Sequence, residues 1–569
     1  MFQISRAALL LILIGALAVR VHRLGAQSLW YDEAVTAHVV GQGIAELTRW
    51  TADDIQPPLY YYVVAGWTAV AGRSEWALRF PSAFFGALTV ALMWAAARRL
   101  FASRAAALLA ALLAAFSPLY VYYAQEARMY TQLTFLGLLA GYALWRAMEA
   151  RDRAWAHSRA WARSRAPLRW WFVFVAAATA ALYTHYFAAF LLLAYALCVL
   201  AALIWPTMAR VAQTRRASLS SPYICRALCV LAALICRVIA HAAQSKASLS
   251  SPYIRRAVAA AAAGAAIVLL YAPWLPAMLT RYRVDRSYWQ GALKLGEALR
   301  HVTISFTVAA PEMMLETDAV RLLPWFGAIF VVAVAGLFLR AVTDVGRDAM
   351  TDEDLSPAPS PARRGTPHPP PLSYEERGGE TSPSLQGKGA GGLGVTFEAD
   401  GRPSLRSRWP LLVLLICLLA PTVGILALAS RTPKFNARYL MMASPAYLLL
   451  LAGGLAAWVG DVRRPATADR RPPTGDRRPL TADRRALNVM ALVVRRASVI
   501  AAVGFLLVVS FVSVRNWFTD RAFAKAQWRE LAATVRAKMA ADEAVVLVSG
   551  HAWPAWDYYA ADIPAIRLP

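Results

Sequence analysis

The sequence predicts an all-α polytopic membrane protein with about eleven transmembrane helices, and three observations carry that prediction. Hydrophobic residues make up 59% of the 569, and the mean hydropathy is +0.43. Apolar runs of about 17 to 25 residues, long enough to cross a hydrocarbon core, recur along the chain. Lysines and arginines bring the formal net charge to +26, and they gather mainly in alternate loops between those runs. That is the positive-inside pattern of a membrane protein, so the excess charge points to topology and away from nucleic acid.

The first run, 7–25, follows a short positive end at Arg6. No small-residue cleavage site comes after it, so it reads as an uncleaved helix leading outward. The stretch 26–79 is expected to stay outside, punctuated by Gln56-Pro57-Pro58 and Gly72-Arg73-Ser74-Glu75. Its apolar part, Leu59 to Ala71, is short for a span and is expected in the interface, with Tyr60, Tyr61, Tyr62 and Trp67 among the headgroups. A helix at 80–97 returns inward to Arg98, Arg99 and Arg104, and one at 105–121 leads out again to Gln125-Glu126-Ala127-Arg128. The helix at 129–148 ends in a loop bearing Arg151, Arg153, Arg159, Arg163 and Arg165, which its charge places in the cytoplasm. Helices at 170–185 and 187–205 form an outward hairpin around Tyr183-Thr184-His185-Tyr186. Further spans are expected at 257–275, 321–341, 409–430, 439–459 and 497–514.

Leu197-Cys-Val-Leu-Ala-Ala-Leu-Ile204 recurs at 228–235, and Ala217-Ser-Leu-Ser-Ser-Pro-Tyr-Ile224 recurs at 247–254. This is a local tandem duplication, not a repeat architecture. The copy at 226–242 carries Arg226 and Arg237 and is expected to remain on the cytoplasmic side. Residues 1–350 thus form a transmembrane module with the outward loop 26–79. Residues 351–408, rich in Pro, Gly, Ser and charge, read as a disordered cytoplasmic insertion. Residues 409–514 return to the membrane around a basic cytoplasmic loop at 460–496. The last stretch, 515–569, reads as a short outward α/β piece with an amphipathic helix at Ala524 to Ala541 and a strand at Ala544 to Ser549. It has too few residues for a larger parallel sheet, as if truncated or serving only as a flap. Cys198, Cys225, Cys229, Cys236 and Cys417 lie in apolar segments or expected cytoplasmic loops and show no disulfide or zinc spacing.

Chemistry is expected where charge stands without an anchoring purpose. Asp32 and Glu33 follow the first span directly, and acids there either serve a reaction or cap a helix beginning at Ala34. Other outward loops contribute Glu126, Arg128, His185, Arg281, Arg283, Lys434 and Arg438, and their convergence would favour a reaction.

Six pieces in order, Leu29-Trp-Tyr-Asp-Glu33, Pro57-Pro-Leu-Tyr-Tyr61, Leu78-Arg-Phe-Pro-Ser82, Tyr122-Tyr-Ala-Gln-Glu-Ala-Arg-Met-Tyr130, Tyr183-Thr-His-Tyr186 and Arg438-Tyr439, give the chain a specific likeness. It resembles the polyprenyl-phosphate-dependent GT-C glycosyltransferases, the group that includes protein O-mannosyltransferases and lipid A aminoarabinose transferases. The resemblance implies a GT-C-type helical bundle in a cell membrane, with its site on the extracytoplasmic face. It also implies transfer of a sugar, with inversion, from a polyprenyl-phosphate donor to a protein, lipid or glycan acceptor. The aspartate matching Asp32 is the family's general base, drawing the proton from the acceptor hydroxyl. Glu33 and Glu126 stand beside it as further catalytic candidates. The departing lipid phosphate needs positive charge more than a general acid, which gives Lys434 and Arg438 the first place, and Arg281 and Arg283 the second. Arg128 is expected to pair with Glu126 and shape the site. His185, Tyr439 and Gln56 complete the expected substrate-binding set. Gln56 is a departure, since relatives commonly carry His before the Pro-Pro pair and an amide cannot titrate near neutral pH. No cofactor is required by this reading; a divalent cation held by Asp32, Glu33 and Glu126, as in the oligosaccharyltransferases of the same superfamily, is the alternative.

Two rivals are set against it. A carrier or flippase of lipid-linked sugars would place ionisable residues near the bilayer midplane, and the helix centres here are almost free of acids. A non-catalytic relative is the other, suggested by the duplication and the insertions.

Overall fold

The computed structural model describes residues 2–155, 166–214, 252–284, 293–353, 409–431, 435–459, 482–540 and 542–568. Two compact units are present, Met1–Phe338 with Pro410–Pro569, and Leu339–Trp409. The second unit, the copy at 226–242 and most of the loop at 460–496 lie largely or wholly outside the described residues.

All eleven expected spans are helical. Six helices among the described residues are long and apolar enough to cross a membrane: Glu75–Leu100, Arg255–Arg281, Glu316–Thr343, Trp409–Arg431, Ala437–Val459 and Met490–Thr519. The count rises to seven if Arg104–Phe116 and Pro118–Ala124, bent by 52° at Ser117, act as one span. Part of the difference from eleven lies in length, because Leu168–Thr184 and Ala188–Ile204 are apolar but short. Outward-pointing side chains such as Leu269 and Val331 leave an apolar jacket around the bundle, as lipid contact requires.

The helices that matter for the site are α1 (Phe2–Val21), α2 (Tyr31–Val40), α3 (Ile44–Asp53), α4 (Leu59–Ala71), α5 (Glu75–Leu100), α6 (Arg104–Phe116), α7 (Pro118–Ala124) and α8 (Tyr130–Trp155). The α6–α7 break follows from Pro118, which lacks an N–H and cannot continue the ladder of α6. The carbonyls stranded at the end of α6 find Arg20, whose fully buried guanidinium donates to Ala114 (3.0 Å) and Ala115 (2.9 Å), and to Ala16 of its own helix (2.9 Å). Gly86 of α5 lets this arrangement close: a Cβ there would stand 3.0 Å from both the Arg20 Nε and the Ala124 methyl. At the end of α1, Gln125 Nε2 donates to the carbonyls of Arg20 (3.1 Å) and His22 (2.7 Å), while its Oε1 accepts from Trp517 Nε1 (2.8 Å).

Two tyrosines of α4 depart from their expected surroundings. Tyr60 and Tyr61 are fully buried, so they are not headgroup anchors. The reason is a set of polar partners inside: the Tyr60 hydroxyl pairs with Ser82 at 2.9 Å, Ser82 donates to the Arg128 carbonyl at 3.0 Å, and Tyr61 accepts from Arg128 at 3.4 Å. A buried phenol needs a partner, and this helix supplies phenols to an interior network.

The chain ends in helix α9 (Trp528–Lys538), strand β1 (Val545–Leu547), helix α10 (Trp553–Ala560) and strand β2 (Ala565–Arg567). The strands pair in parallel, Val545 opposite Ala565 and Leu547 opposite Arg567, with α10 as the crossover. The helix at 553–560 was not foreseen, and the expected helix from Ala524 starts only at Trp528. Helix α10 settles on α2: His38 meets Trp553 edge to face at 4.9 Å, and the Tyr559 hydroxyl accepts from the Leu29 amide at 2.7 Å.

Candidate active site

Helix α2 starts at Tyr31, so Asp32 and Glu33 lie within its first turn, where acids suit the helix dipole. The two neighbours have different fates. Glu33 is fully buried and its carboxylate is saturated. Arg79 of α5 donates through Nε to Oε1 and through Nη2 to Oε2, both at 2.7 Å. Lys525 Nζ donates at 3.0 Å, the Ala127 amide at 2.9 Å and the Trp30 amide at 3.4 Å. Burial alone would push the Glu33 carboxyl upward; Arg79 and Lys525, with the hydrogen bonds from Arg79 and Ala127, outweigh it and hold the pKa down at about 2. Arg79 has further work, donating to the carbonyls of Leu24 (2.9 Å), Gln27 (2.8 Å) and Ser28 (3.0 Å). A single guanidinium therefore gathers the loop between α1 and α2 around Glu33.

Asp32 faces the other way and is 16% exposed. Arg438 Nη1 donates to its Oδ2 at 3.1 Å, and Arg128 Nε lies 3.9 Å from the same oxygen. Two guanidiniums on one carboxylate leave one positive charge in excess. The Arg438 guanidinium sits among the rings of Tyr130 (5.6 Å), Tyr439 (5.8 Å) and Trp30 (5.9 Å), a cation–π setting. Around this pair several buried polar atoms have no hydrogen-bond partner among the described residues: Nε of Arg128 and Arg438, Nε1 of Trp30, Oη of Tyr130 and Nε2 of His185. Native interiors rarely leave such a group of atoms unsatisfied together.

The other expected residues divide as follows. His185 is buried, 6.2 Å from Tyr130 and 5.9 Å from Tyr439 between ring centroids, and its Nδ1 accepts from the Phe187 amide at 3.1 Å. Burial, reinforced by Arg128 and Arg438, lowers its pKa to about 3, so it is neutral at physiological pH. Gln56 is buried, and its amide oxygen has no hydrogen-bond partner among the described residues. Arg281 lies near Asp54, whose pKa is raised by burial against the opposing pull of the Ile55 amide, Arg128 and Arg281. Lys434 lies outside the described residues, and of Arg283 only the backbone is described. The expected pair of Arg128 with Glu126 is not made by their side chains. A tight turn, in which the Arg128 amide donates to the Glu126 carbonyl at 2.8 Å, is followed by Arg128 reaching Asp32 while Glu126 lies 3.5 Å from Lys525. Glu126 is buried, and its pKa is raised by that burial despite Lys525.

The donor set does not suit a divalent cation. Both Glu33 oxygens are taken by Arg79 and one also by Lys525, and among the described residues no three His, Cys, Asp or Glu side chains converge as metal ligands.

Sequence reasoning gave no place in the site to Arg79, although it stands in the quoted Leu78-Arg-Phe-Pro-Ser82 piece, to Tyr61, which was expected among the headgroups, or to Lys525 and Glu312. Glu312 is held up at about 7, first by burial and then by Glu126, in the loop before Glu316. A lone carboxylate or lysine in a loop carries no local pattern from which such a placement could be read.

Comparison with known proteins adds an independent line. Residues 55–240 match the family model described as dolichyl-phosphate-mannose-protein mannosyltransferase. The family that the chain resembles is one of glycosyltransferases. The matched stretch contains Arg79, Glu126, Arg128 and His185 and leaves out Asp32, Arg438 and Lys525. Among solved structures, the chain is similar to ArnT from Cupriavidus metallidurans bound to undecaprenyl phosphate, at 14% identity, covering 98% of this chain and 85% of that one, with a TM-score of 0.48. It is also similar to the oligosaccharyltransferase AglB from Archaeoglobus fulgidus in complex with an inhibitory peptide and a dolichol-phosphate, at 13% identity, covering 99% of this chain and 64% of that one, with a TM-score of 0.48. A third likeness is to the S. cerevisiae Pmt1-Pmt2 complex bound to the sugar donor, at 16% identity, covering 50% and 34%, with a TM-score of 0.32. No curated protein matches the chain closely enough to count as a relative.

Proposed function

We propose that this chain is a multi-pass membrane glycosyltransferase that moves a sugar from a polyprenyl-phosphate donor to an acceptor hydroxyl at the extracytoplasmic face, with inversion. The observation that carries the reading is the Asp32–Arg128–Arg438 group, with one positive charge in excess and unsatisfied buried donors around it. A lipid phosphate is the anion that such a group suits, because two guanidiniums offer paired hydrogen bonds to its oxygens in a water-poor setting.

The chemistry follows from the placement. The donor phosphate competes for Arg438 and draws it from Asp32, which frees the carboxylate. Asp32 then takes the acceptor's proton as its oxygen forms the new bond to the anomeric carbon on the face opposite the phosphate. The anomeric carbon–oxygen bond breaks with its electron pair on the phosphate, which leaves as the polyprenyl phosphate anion held by Arg438 and Arg128. Glu33 holds its place and carries no proton; neutral His185 offers its free Nε2 toward substrate. Acceptors of protein, lipid or glycan type satisfy the same geometry.

The test is to compare envelope glycans and glycoproteins by mass spectrometry in cells with and without the protein. A modification that disappears supports the reading, and unchanged glycans with a fully expressed protein contradict it. For the face, a cysteine placed at the exposed Ser549 should react with a membrane-impermeant thiol reagent on intact cells; labelling only after lysis would reverse the orientation.

A further inference from the structure

The segment after the last long helix sends one amine into the middle of the site. Lys525 follows the turn at Arg521–Phe523, and its side chain is 6% exposed. Its own amide donates to Gln27 Oε1 at 2.9 Å, which fixes the backbone against the loop between α1 and α2. Its Nζ stands 3.0 Å from Glu33 Oε2 and 3.5 Å from both Glu126 Oε1 and the Gln125 carbonyl, with the Trp517 ring 5.6 Å and the Tyr122 ring 6.0 Å away. One amine thus joins two threads, Trp30–Glu33 and Gln125–Arg128, whose next side chains along, Asp32 and Arg128, meet across the reaction centre.

The charges around it close only with Lys525 present. Glu33 and Glu126 carry two negative charges in a buried place, and Arg79 supplies one positive charge. Neither Glu126 oxygen lies within hydrogen-bond geometry of a donor, although the Tyr122 hydroxyl is nearby, so Lys525 at 3.5 Å is what balances it; without the lysine, Glu126 would have no cation within ion-pair distance among the described residues. A buried unpaired carboxylate relaxes toward water or takes up a proton, and either movement displaces the thread that ends in Arg128.

We infer that the C-terminal segment is part of the reaction centre, and that Lys525 is a positioning residue for transfer: it locks the Glu33 and Glu126 threads together so that Asp32 and Arg128 keep their separation. This deepens the glycosyltransferase reading and rests on it. Lys525 touches neither Asp32 nor Arg438 in the described contacts, so its influence on the reaction passes through Glu33 and Glu126.

The experiment compares wild type, Lys525→Met and Lys525→Arg in lipid nanodiscs, with a polyprenyl-phosphate sugar as donor. Lys525→Met should lower kcat about tenfold or more while the donor KM stays within about twofold, and Lys525→Arg, which keeps the charge, should recover most of the rate. An unchanged kcat in Lys525→Met overturns the inference, and so does a loss that raises KM in step and is shared by the arginine variant. Hydrogen exchange read on the same samples separates this outcome from failure of the functional reading. Amides of 28–36 and of 125–130 should exchange faster together in Lys525→Met whether or not any variant transfers sugar. Unaltered exchange in either stretch removes the positioning role, whereas altered exchange with an inactive wild type keeps it and removes the glycosyltransferase.

Discussion

Asp32 and Glu33 are consecutive on one helix, and the regions around them are built on opposite plans. Around Glu33 the charges balance, Glu33 and Glu126 against Arg79 and Lys525, and two backbone amides complete the Glu33 carboxylate, while Glu126 is held by charge alone, with no hydrogen bond to either oxygen. Around Asp32 the balance is left open, one carboxylate against Arg128 and Arg438, with unused donors on both guanidiniums. A cluster whose charges balance holds its positions, and one with a cation in excess is a place for an anionic ligand. The rotation of about 100° between successive helical residues is enough to divide scaffold from site.

The sharpest way to break this contrast is to neutralise each acid in turn. Asp32→Asn is expected to reduce sugar transfer by about 10²- to 10⁴-fold while expression, membrane insertion and melting temperature stay near wild type. Glu33→Gln leaves Arg79 and Lys525 with Glu126 as their one acidic partner, a buried positive charge in excess, and is expected to cost about 3–5 kcal/mol of stability, seen as poor expression or a large fall in melting temperature in detergent. If the two variants exchange these phenotypes, the assignment of scaffold and site is reversed. Arg438→Gln tests the open side alone. It should raise the donor KM by about 10- to 100-fold, with little change in acceptor KM, and unchanged donor kinetics would remove Arg438 from phosphate binding.

The smallest effect concerns His185. Its folded-state pKa, lowered to about 3, lies below the ordinary value of 6.5, so between those limits the unfolded chain binds a proton that the folded chain does not. Stability from this group is therefore fully present above about pH 6.5 and declines as the pH falls toward about 3. Replacement by Asn should flatten the melting-temperature curve across that window, and a curve of unchanged slope would contradict the burial of a neutral ring.

Much of the bundle could be read from the chain because each apolar segment declares itself locally: all eleven expected segments are helical. Asp32 and Arg438, 406 residues apart, were brought together by order and sidedness, and the geometry places them 3.1 Å from each other. Other features had no local signal. Tyr60 and Tyr61 resemble interface anchors in sequence, and only the positions of Ser82 and Arg128 turn them inward. Lys525 sits 492 residues from Glu33 in a short polar tail, where a lysine is ordinarily solvated. Residues 553–560, opened by Trp553-Pro554, gave too short an apolar pattern to stand out, yet they form the helix that rests on α2. Long-range charge pairing is set by the fold as a whole, and windowed periodicity does not register it.

The kink at Ser117 gives the bundle a seam. Because Arg20 closes the open end of α6, the following seven residues can tip by 52° and lead to Ala127, which meets Glu33 and Thr36 of α2. The chain thereby reaches α2 without a long loop, and its point of arrival is held by a cation on a different helix. Any lineage that straightened this seam would have to rebuild the chamber from other parts.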